Sequence, residues 1–219
     1  MNCPQIKICG LTSVEQAVEC AKLGADAVGL VFYDKSPRNV SARLAARIAE
    51  HISGLAVPVA VTVDMEIDDI LELAISTGIA TLQLHGSESP EYVRRLMEAG
   101  LRVIKHIKPG SGDDMTAAAA RFDCKAFIAE CGKGPLPGGN GSRWDWSQAG
   151  VLAGKRPFIL AGGLDCDNVQ EAAKAARADA VDVSSALEIE PGVKDMKLAQ
   201  KFIEQTRQIN LDRSITRIF

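Results

Sequence analysis

The sequence predicts a single-domain α/β fold, a closed (β/α)8 barrel, and three observations carry that expectation. Short runs rich in Val and Ile alternate with longer segments of helical period from one end of the 219-residue chain to the other. Most of the short runs are continuously apolar rather than alternating in polarity, the pattern of strands buried on both faces. Eight such runs fit the length of the smallest barrels, whereas an open doubly wound sheet has fewer strands and a glycine-rich turn after the first. The first turn here is Cys9-Gly10-Leu11-Thr12, which holds no G-x-G-x-x-G.

The strands are expected at residues 5–9, 27–32, 57–63, 80–84, 102–107, 126–130, 157–161 and 180–184. Helix starts are marked by caps. Thr12 with Glu15 has the spacing of a capping box ahead of Val14, Ala17, Val18 and Ala21. Ser41 leads into Leu44, Ala45, Ile48, Ala49 and Ile52. Ser89 followed by Pro90 opens a helix with proline where no N–H is required, and Gly100 closes it. Further helices are expected at 68–77, 113–121, 146–153, 168–176 and 196–207. A faint repeat supports stacked βα units: Ala25-Asp26-Ala27-Val28-Gly29-Leu30 resembles Ala178-Asp179-Ala180-Val181-Asp182-Val183.

Composition narrows the function classes. Apolar residues at 47% and charged residues at 24% suit one globular domain over residues 1–219. Lys+Arg 25 against Asp+Glu 28 leaves a net charge of -3, far from a nucleic-acid footprint, so an anionic ligand must be held locally. The amino terminus has neither a basic segment nor an apolar run, and Pro58 and Thr62 interrupt the longest apolar stretch. A cytoplasmic protein with no membrane partner is expected. Cys3, Cys9, Cys20, Cys124, Cys131 and Cys166 form no C-x-x-C pair and no zinc-ligand spacing, so reduced thiols and no structural metal are expected.

In a parallel barrel ligands bind where strands hand over to helices, so polar residues ending strands are the candidates. Lys7 and Cys9 share one face of strand 1, and Asp182 and Ser184 share one face of strand 8. If the barrel closes, Lys7 and Asp182 can pair, as structural charge or as part of a site. Cys9 is a strand-end thiol, either filler or nucleophile and base, and Glu130 a carboxylate at the mouth. His85 and His106 end predicted strands. Gly138-Gly139-Asn140-Gly141, Gly162-Gly163 and Ser184-Ser185 follow strands in the second half, where backbone N–H groups can close around a phosphate. Arg38 lies on the loop after strand 2, where a guanidinium can grip a carboxylate with two parallel bonds.

Together these residues resemble one family. Lys7-Ile8-Cys9-Gly10-Leu11-Thr12, Phe32-Tyr33-Asp34-Lys35-Ser36-Pro37-Arg38, Gln83-Leu84-His85-Gly86, Leu136-Pro137-Gly138-Gly139-Asn140-Gly141, Asp145-Trp146, Leu160-Ala161-Gly162-Gly163-Leu164, Val181-Asp182-Val183-Ser184-Ser185 and Pro191-Gly192-Val193-Lys194-Asp195 are similar, in order, to the motifs of phosphoribosylanthranilate isomerases. The resemblance implies a TIM barrel of tryptophan biosynthesis that needs no cofactor or metal. It implies an Amadori rearrangement of N-(5-phosphoribosyl)anthranilate to 1-(2-carboxyphenylamino)-1-deoxyribulose 5-phosphate. By the same resemblance Cys9 is the general base, the carboxylate ending strand 6 is the general acid, and Arg38 receives the anthranilate carboxylate. Lys7, His85 and Asp182 are expected to complete the substrate site, and Gly139, Gly141, Gly162, Gly163, Ser184 and Ser185 to bind the phosphate. A monomer or homodimer acting on a small phosphorylated molecule is expected.

The chain departs from the family pattern at the acid, where Glu130 stands in place of aspartate. Ala186 replaces the usual glycine after Ser-Ser, Ser142 the usual lysine after the glycine loop, and Thr62 the usual aromatic on strand 3. Two alternatives follow: a paralogous isomerase of another sugar phosphate, and a non-catalytic phosphosugar-binding barrel.

Overall fold

Lys7 on the first strand pairs in parallel with Ala27 on the second and with Asp182 on the eighth, and that double pairing closes the sheet. The computed structural model describes residues 2–109, 113–131 and 143–219. Its barrel runs in chain order through β1 (Gln5–Cys9), β2 (Ala27–Phe32), β3 (Val57–Thr62), β4 (Thr81–Leu84), β5 (Arg102–Ile107), β6 (Ala126–Ala129), β7 (Phe158–Leu160) and β8 (Ala180–Val183). Around it lie α1 (Val14–Leu23), α2 (Ala42–His51), α3 (Ile67–Thr77), α4 (Pro90–Glu98), α5 (Asp113–Ala120), α6 (Val169–Ala176) and α7 (Met196–Arg207). No helix among the described residues is long and apolar enough to cross a membrane.

The strand period of two divides the buried residues into two groups. One parity, including Ile6, Ile8, Leu30, Leu82, Phe127, Phe158 and Val181, faces the helices and forms a continuous apolar shell. The other parity faces inward. Its lower layers are apolar, with Ala27, Val59, Ile104, Ala126, Ile128, Ile159 and Ala180 in one cluster. Its upper layers are polar: Lys7, Gln83, His85, His106, Glu130 and Asp182 are all buried there. The barrel is thus a packed core below and a reactive mouth above.

The strands fall within a residue of their expected bounds, and several site residues sit one step beyond a strand end. Two helix expectations are corrected. The cap of α1 is Ser13, whose hydroxyl accepts from Gln16 N at 3.2 Å, while Thr12 Oγ1 donates to Gly192 O at 2.7 Å and ties the first turn to a distant segment. The segment expected at 146–153 is a 3-10 helix, Trp146–Leu152, with i to i+3 bonds such as Gln148 N to Asp145 O. Gly150 within it weakens any longer α-helix. A hairpin that was not expected, β9 (Glu188–Glu190) with β10 (Val193–Lys194), follows a short 3-10 turn, Ser185–Leu187.

The carboxyl-terminal tail closes the floor. Gln5 Oε1 accepts from Ile218 N at 2.6 Å, and Asp179 Oδ1 accepts from Thr216 N at 2.8 Å. Ile218, 4% exposed, then packs into the inner apolar cluster. Ile218→Ala is expected to lower stability by about 2–5 kcal/mol, the usual range for emptying such a site. Urea denaturation checks this, and an unchanged midpoint would mean the floor seals without the tail.

Candidate active site

The polar layer opens into a cavity of about 280 Å³ at the carboxyl ends of the strands. Cys9, Glu130, His85, Arg38 and Asp182 all line it, from five separate points of the chain. Its walls mix an apolar side, with Val31, Tyr33, Val61 and Val63, and a small-residue side formed by Gly162, Gly163, Ser184 and Ser185. A ligand with an apolar end and a polar end fits that division.

Lys7 is wholly buried and donates to Asp182 Oδ1 at 2.8 Å. Burial works to lower the Lys7 pKa, but Asp182 and Cys9 outweigh it and hold the ammonium above its ordinary range. Burial pushes the Asp182 carboxyl up even with Lys7 beside it. The two form an ion pair, and the direct contact at 2.8 Å keeps Lys7 charged. Cys9 sits on the same face as Lys7. Burial pushes its thiol above the usual range, Lys7 pulls it back, and Asp182 opposes ionisation. Gly29 stands across from it on β2, where a Cβ would come within 2.7 Å of Cys9 Sγ.

Glu130 lies one residue past β6, 7% exposed. Its Oε2 is 3.3 Å from His85 Nε2, outside hydrogen-bond geometry. With Gln83 Nε2 donating to His85 Nδ1 at 3.1 Å, the proton of a neutral His85 is assigned to Nε2, the nitrogen that faces Glu130. His85 stacks on His106 with centroids 4.0 Å apart and planes 12° from parallel. Burial, then His85 across the stack, holds His106 well below the ordinary histidine range, so it is neutral. His106 Nε2 lies 3.2 Å from Glu130 O. Gly162, at φ +87°, lacks a Cβ that would come within 3.2 Å of Glu130 Cγ, so the acidic side chain lies close against the turn after β7.

Arg38 comes from the loop after β2, and the carboxylate its guanidinium meets is Glu188 of the hairpin. Nε donates to Glu188 Oε1 at 2.8 Å and Nη2 to Oε2 at 2.5 Å. Lys194 Nζ donates to Glu188 Oε1 at 2.7 Å and to Ser184 O at 3.1 Å. Burial pushes the Glu188 carboxyl up, but the Arg38 and Lys194 contacts outweigh it and leave it below the usual range. Ser184 Oγ donates to Cys9 O at 2.9 Å, bracing β1 against β8, while Ser185 and Ala186 face the cavity beside it. Gly139 and Gly141 lie outside the described residues.

A family model described as N-(5'phosphoribosyl)anthranilate (PRA) isomerase matches residues 6–205. The chain belongs to that isomerase family. The N-(5'-phosphoribosyl)anthranilate isomerase of Desulfatibacillum aliphaticivorans is 43% identical over 215 residues, covering 98% of both chains. The solved phosphoribosyl anthranilate isomerase of Thermotoga maritima shares 33% identity with a TM-score of 0.84, over 94% of this chain and 100% of that one. A second solved isomerase, in complex with reduced 1-(o-carboxyphenylamino)-1-deoxyribulose 5-phosphate, superposes with a TM-score of 0.82 at 33% identity, with the same coverage.

Within this isomerase barrel, sequence reasoning missed the hairpin carboxylate Glu188 and its partner Lys194. The Pro191-Gly192 turn between two short runs was the available hairpin signal. It also missed Trp144 and Trp146, whose indole N–H groups donate to Ala161 O and Gly162 O at 2.9 Å each and pin the end of β7. Of the departures from the isomerase pattern, Ala186 lines the cavity, whereas Thr62 is buried on the outward parity between Val61 and Val63.

Proposed function

We propose that the cavity carries out the Amadori rearrangement of N-(5'-phosphoribosyl)anthranilate with Glu130 as general acid and Cys9 as general base. The chain is a phosphoribosylanthranilate isomerase of tryptophan biosynthesis. The observation supporting the residue roles is that a carboxylate from β6 and a thiol from β1 face one cavity whose two sides differ in polarity. Glu130 gives its proton to the furanose ring oxygen as the C1–O bond breaks, and the anilino nitrogen lone pair forms the C1=N bond. Cys9 then takes the C2 proton, and the electrons left behind make the C1=C2 enolamine. Tautomerisation returns a proton to C1 and leaves a ketone at C2, so the product is an isomer of the substrate.

In this reading the ring lies along Val31, Tyr33, Val61 and Val63, with Arg38 at its carboxylate. The phosphate lies against Gly162, Gly163 and Ser185, in loops after β7 and β8 where barrels of this class commonly hold phosphate. Lys7 stabilises the Cys9 thiolate, Asp182 holds Lys7, and His85 turns its Nε2 to the Glu130 carboxyl. We take the enzyme to work without a cofactor, in the cytoplasm, as a monomer or homodimer of one domain over residues 1–219. Growth without tryptophan of a bacterial strain lacking its own isomerase, on supply of this chain, tests the function. Failure of well-expressed, folded protein to restore growth would favour another sugar phosphate.

Arg38→Ala is expected to raise KM more than it lowers kcat, because the carboxylate lies away from the C1–C2 bond that changes. An unchanged KM for the anthranilate substrate counts against this role.

A further inference from the structure

We propose that Glu188 is a positioning residue for substrate recognition, holding Arg38 by one edge so that the other edge meets the carboxylate of the ligand. The inference rests on the reading of Arg38 as the carboxylate receiver.

A guanidinium has five N–H donors in a fixed plane, and its side edge and its end edge can each engage a carboxylate in parallel. Glu188 fills the side edge through Nε and Nη2. No other bond to this guanidinium occurs among the described residues, so the Nη1 hydrogens and the outer Nη2 hydrogen remain for a ligand. The stem of Arg38 crosses directly over the first turn, since a Cβ on Gly10 would lie 2.5 Å from Arg38 Cδ. That places the arginine next to Cys9 on the cavity wall.

Glu188 is itself fixed. Its side chain is 5% exposed and Lys194, 0% exposed, grips its Oε1. Glu188 and Lys194 are register partners across the hairpin, and Lys194 also reaches Ser184 at the end of β8. Thr12 anchors the turn of the same hairpin through Gly192 O. Two cations share one carboxylate, so the cluster keeps a single positive charge for an incoming anion. A free arginine would have to order several side-chain torsions on binding; here that ordering precedes the ligand.

The test compares two ligands, the reduced product analogue 1-(o-carboxyphenylamino)-1-deoxyribulose 5-phosphate and its phenylamino counterpart without the carboxylate. The ratio of their dissociation constants, by calorimetry, does not depend on the fraction of protein that is active. In Arg38→Ala the ratio should collapse toward one. In Glu188→Gln, which keeps the shape but removes the charge and one of the two acceptor oxygens, it should fall about tenfold, the size of one charge-assisted bond. A ratio kept in Arg38→Ala overturns the carboxylate reading and the inference with it. A collapse in Arg38→Ala with an unchanged or larger ratio in Glu188→Gln leaves Arg38 in its role and overturns the inference alone. Should Lys194, left unpaired, prevent folding, the charge-balanced Glu188→Gln, Lys194→Met double variant takes its place under the same expectations.

Discussion

Glu130→Ala is expected to lower kcat/KM by about 10²–10⁴-fold, because ring opening without proton donation must expel an alkoxide. The cavity stays intact in that variant, so substrate binding should change far less than turnover. Glu130→Asp keeps the acid but draws the carboxyl back by about 1.5 Å, one carbon–carbon bond. His85 Nε2, now 3.3 Å from Glu130 Oε2, would be left further away. Retention of turnover to within roughly 100-fold is expected, the size of effect such a displacement produces. Steady-state kinetics on the two variants separates a lengthened acid from a spectator. Full activity in Glu130→Ala would move the acid elsewhere at the mouth, with Asp182 first.

Cys9→Ser should fold like the parent and lose about 10²–10⁴-fold in kcat/KM, because a hydroxyl does not ionise to a base in the working range. The pH dependence follows from the burial that pushes the thiol upward. A base works only when deprotonated, so kcat/KM of the parent divided by that of Cys9→Ser, a ratio from which the shared Glu130 acid cancels, should climb with pH through neutrality and level off only above the ordinary thiol range. Lys7→Met removes the charge that pulls the thiol down and should move that rise to higher pH. A flat ratio between neutral and mildly alkaline pH would mean that Cys9 is not the group titrating.

The barrel was legible because each strand run announces its own burial: Val57, Val59 and Val61 alternate with Pro58, Ala60 and Thr62 without a polar face, which suits a strand packed on both sides. Strand ends were less legible. Glu130 and Ser184 continue the strand pattern in sequence but sit just past β6 and β8, where the backbone turns into the loops. Thr12 and Ser13 are equivalent as caps by residue type, and only the distant Gly192 carbonyl decides between them.

Within the site, the Lys7–Asp182 pair could be anticipated because period two and barrel closure put both on one inner face. The partner of Arg38 could not be. Glu188 lies 150 positions away in the chain, on a hairpin whose strands are three and two residues long, too short for a periodic pattern. His106 carried no message in sequence beyond ending a strand; its stack on His85 depends on the stagger between β4 and β5. Thr62 departs from the family pattern on strand 3 without touching the site. Its outward parity puts it against the helices instead.

With glutamate as its acid, this chain is expected to convert the anthranilate substrate at an enzymatic rate. The direct measurement follows the loss of anthranilate-type fluorescence with freshly made N-(5'-phosphoribosyl)anthranilate, at catalytic concentrations of the wild-type protein. Many turnovers per enzyme are expected, with the rate proportional to enzyme and abolished in the Cys9→Ser, Glu130→Ala double variant. Fluorescence that changes only at the rate of the substrate's own breakdown, with turnover appearing in Glu130→Asp, would contradict Glu130 as the working acid.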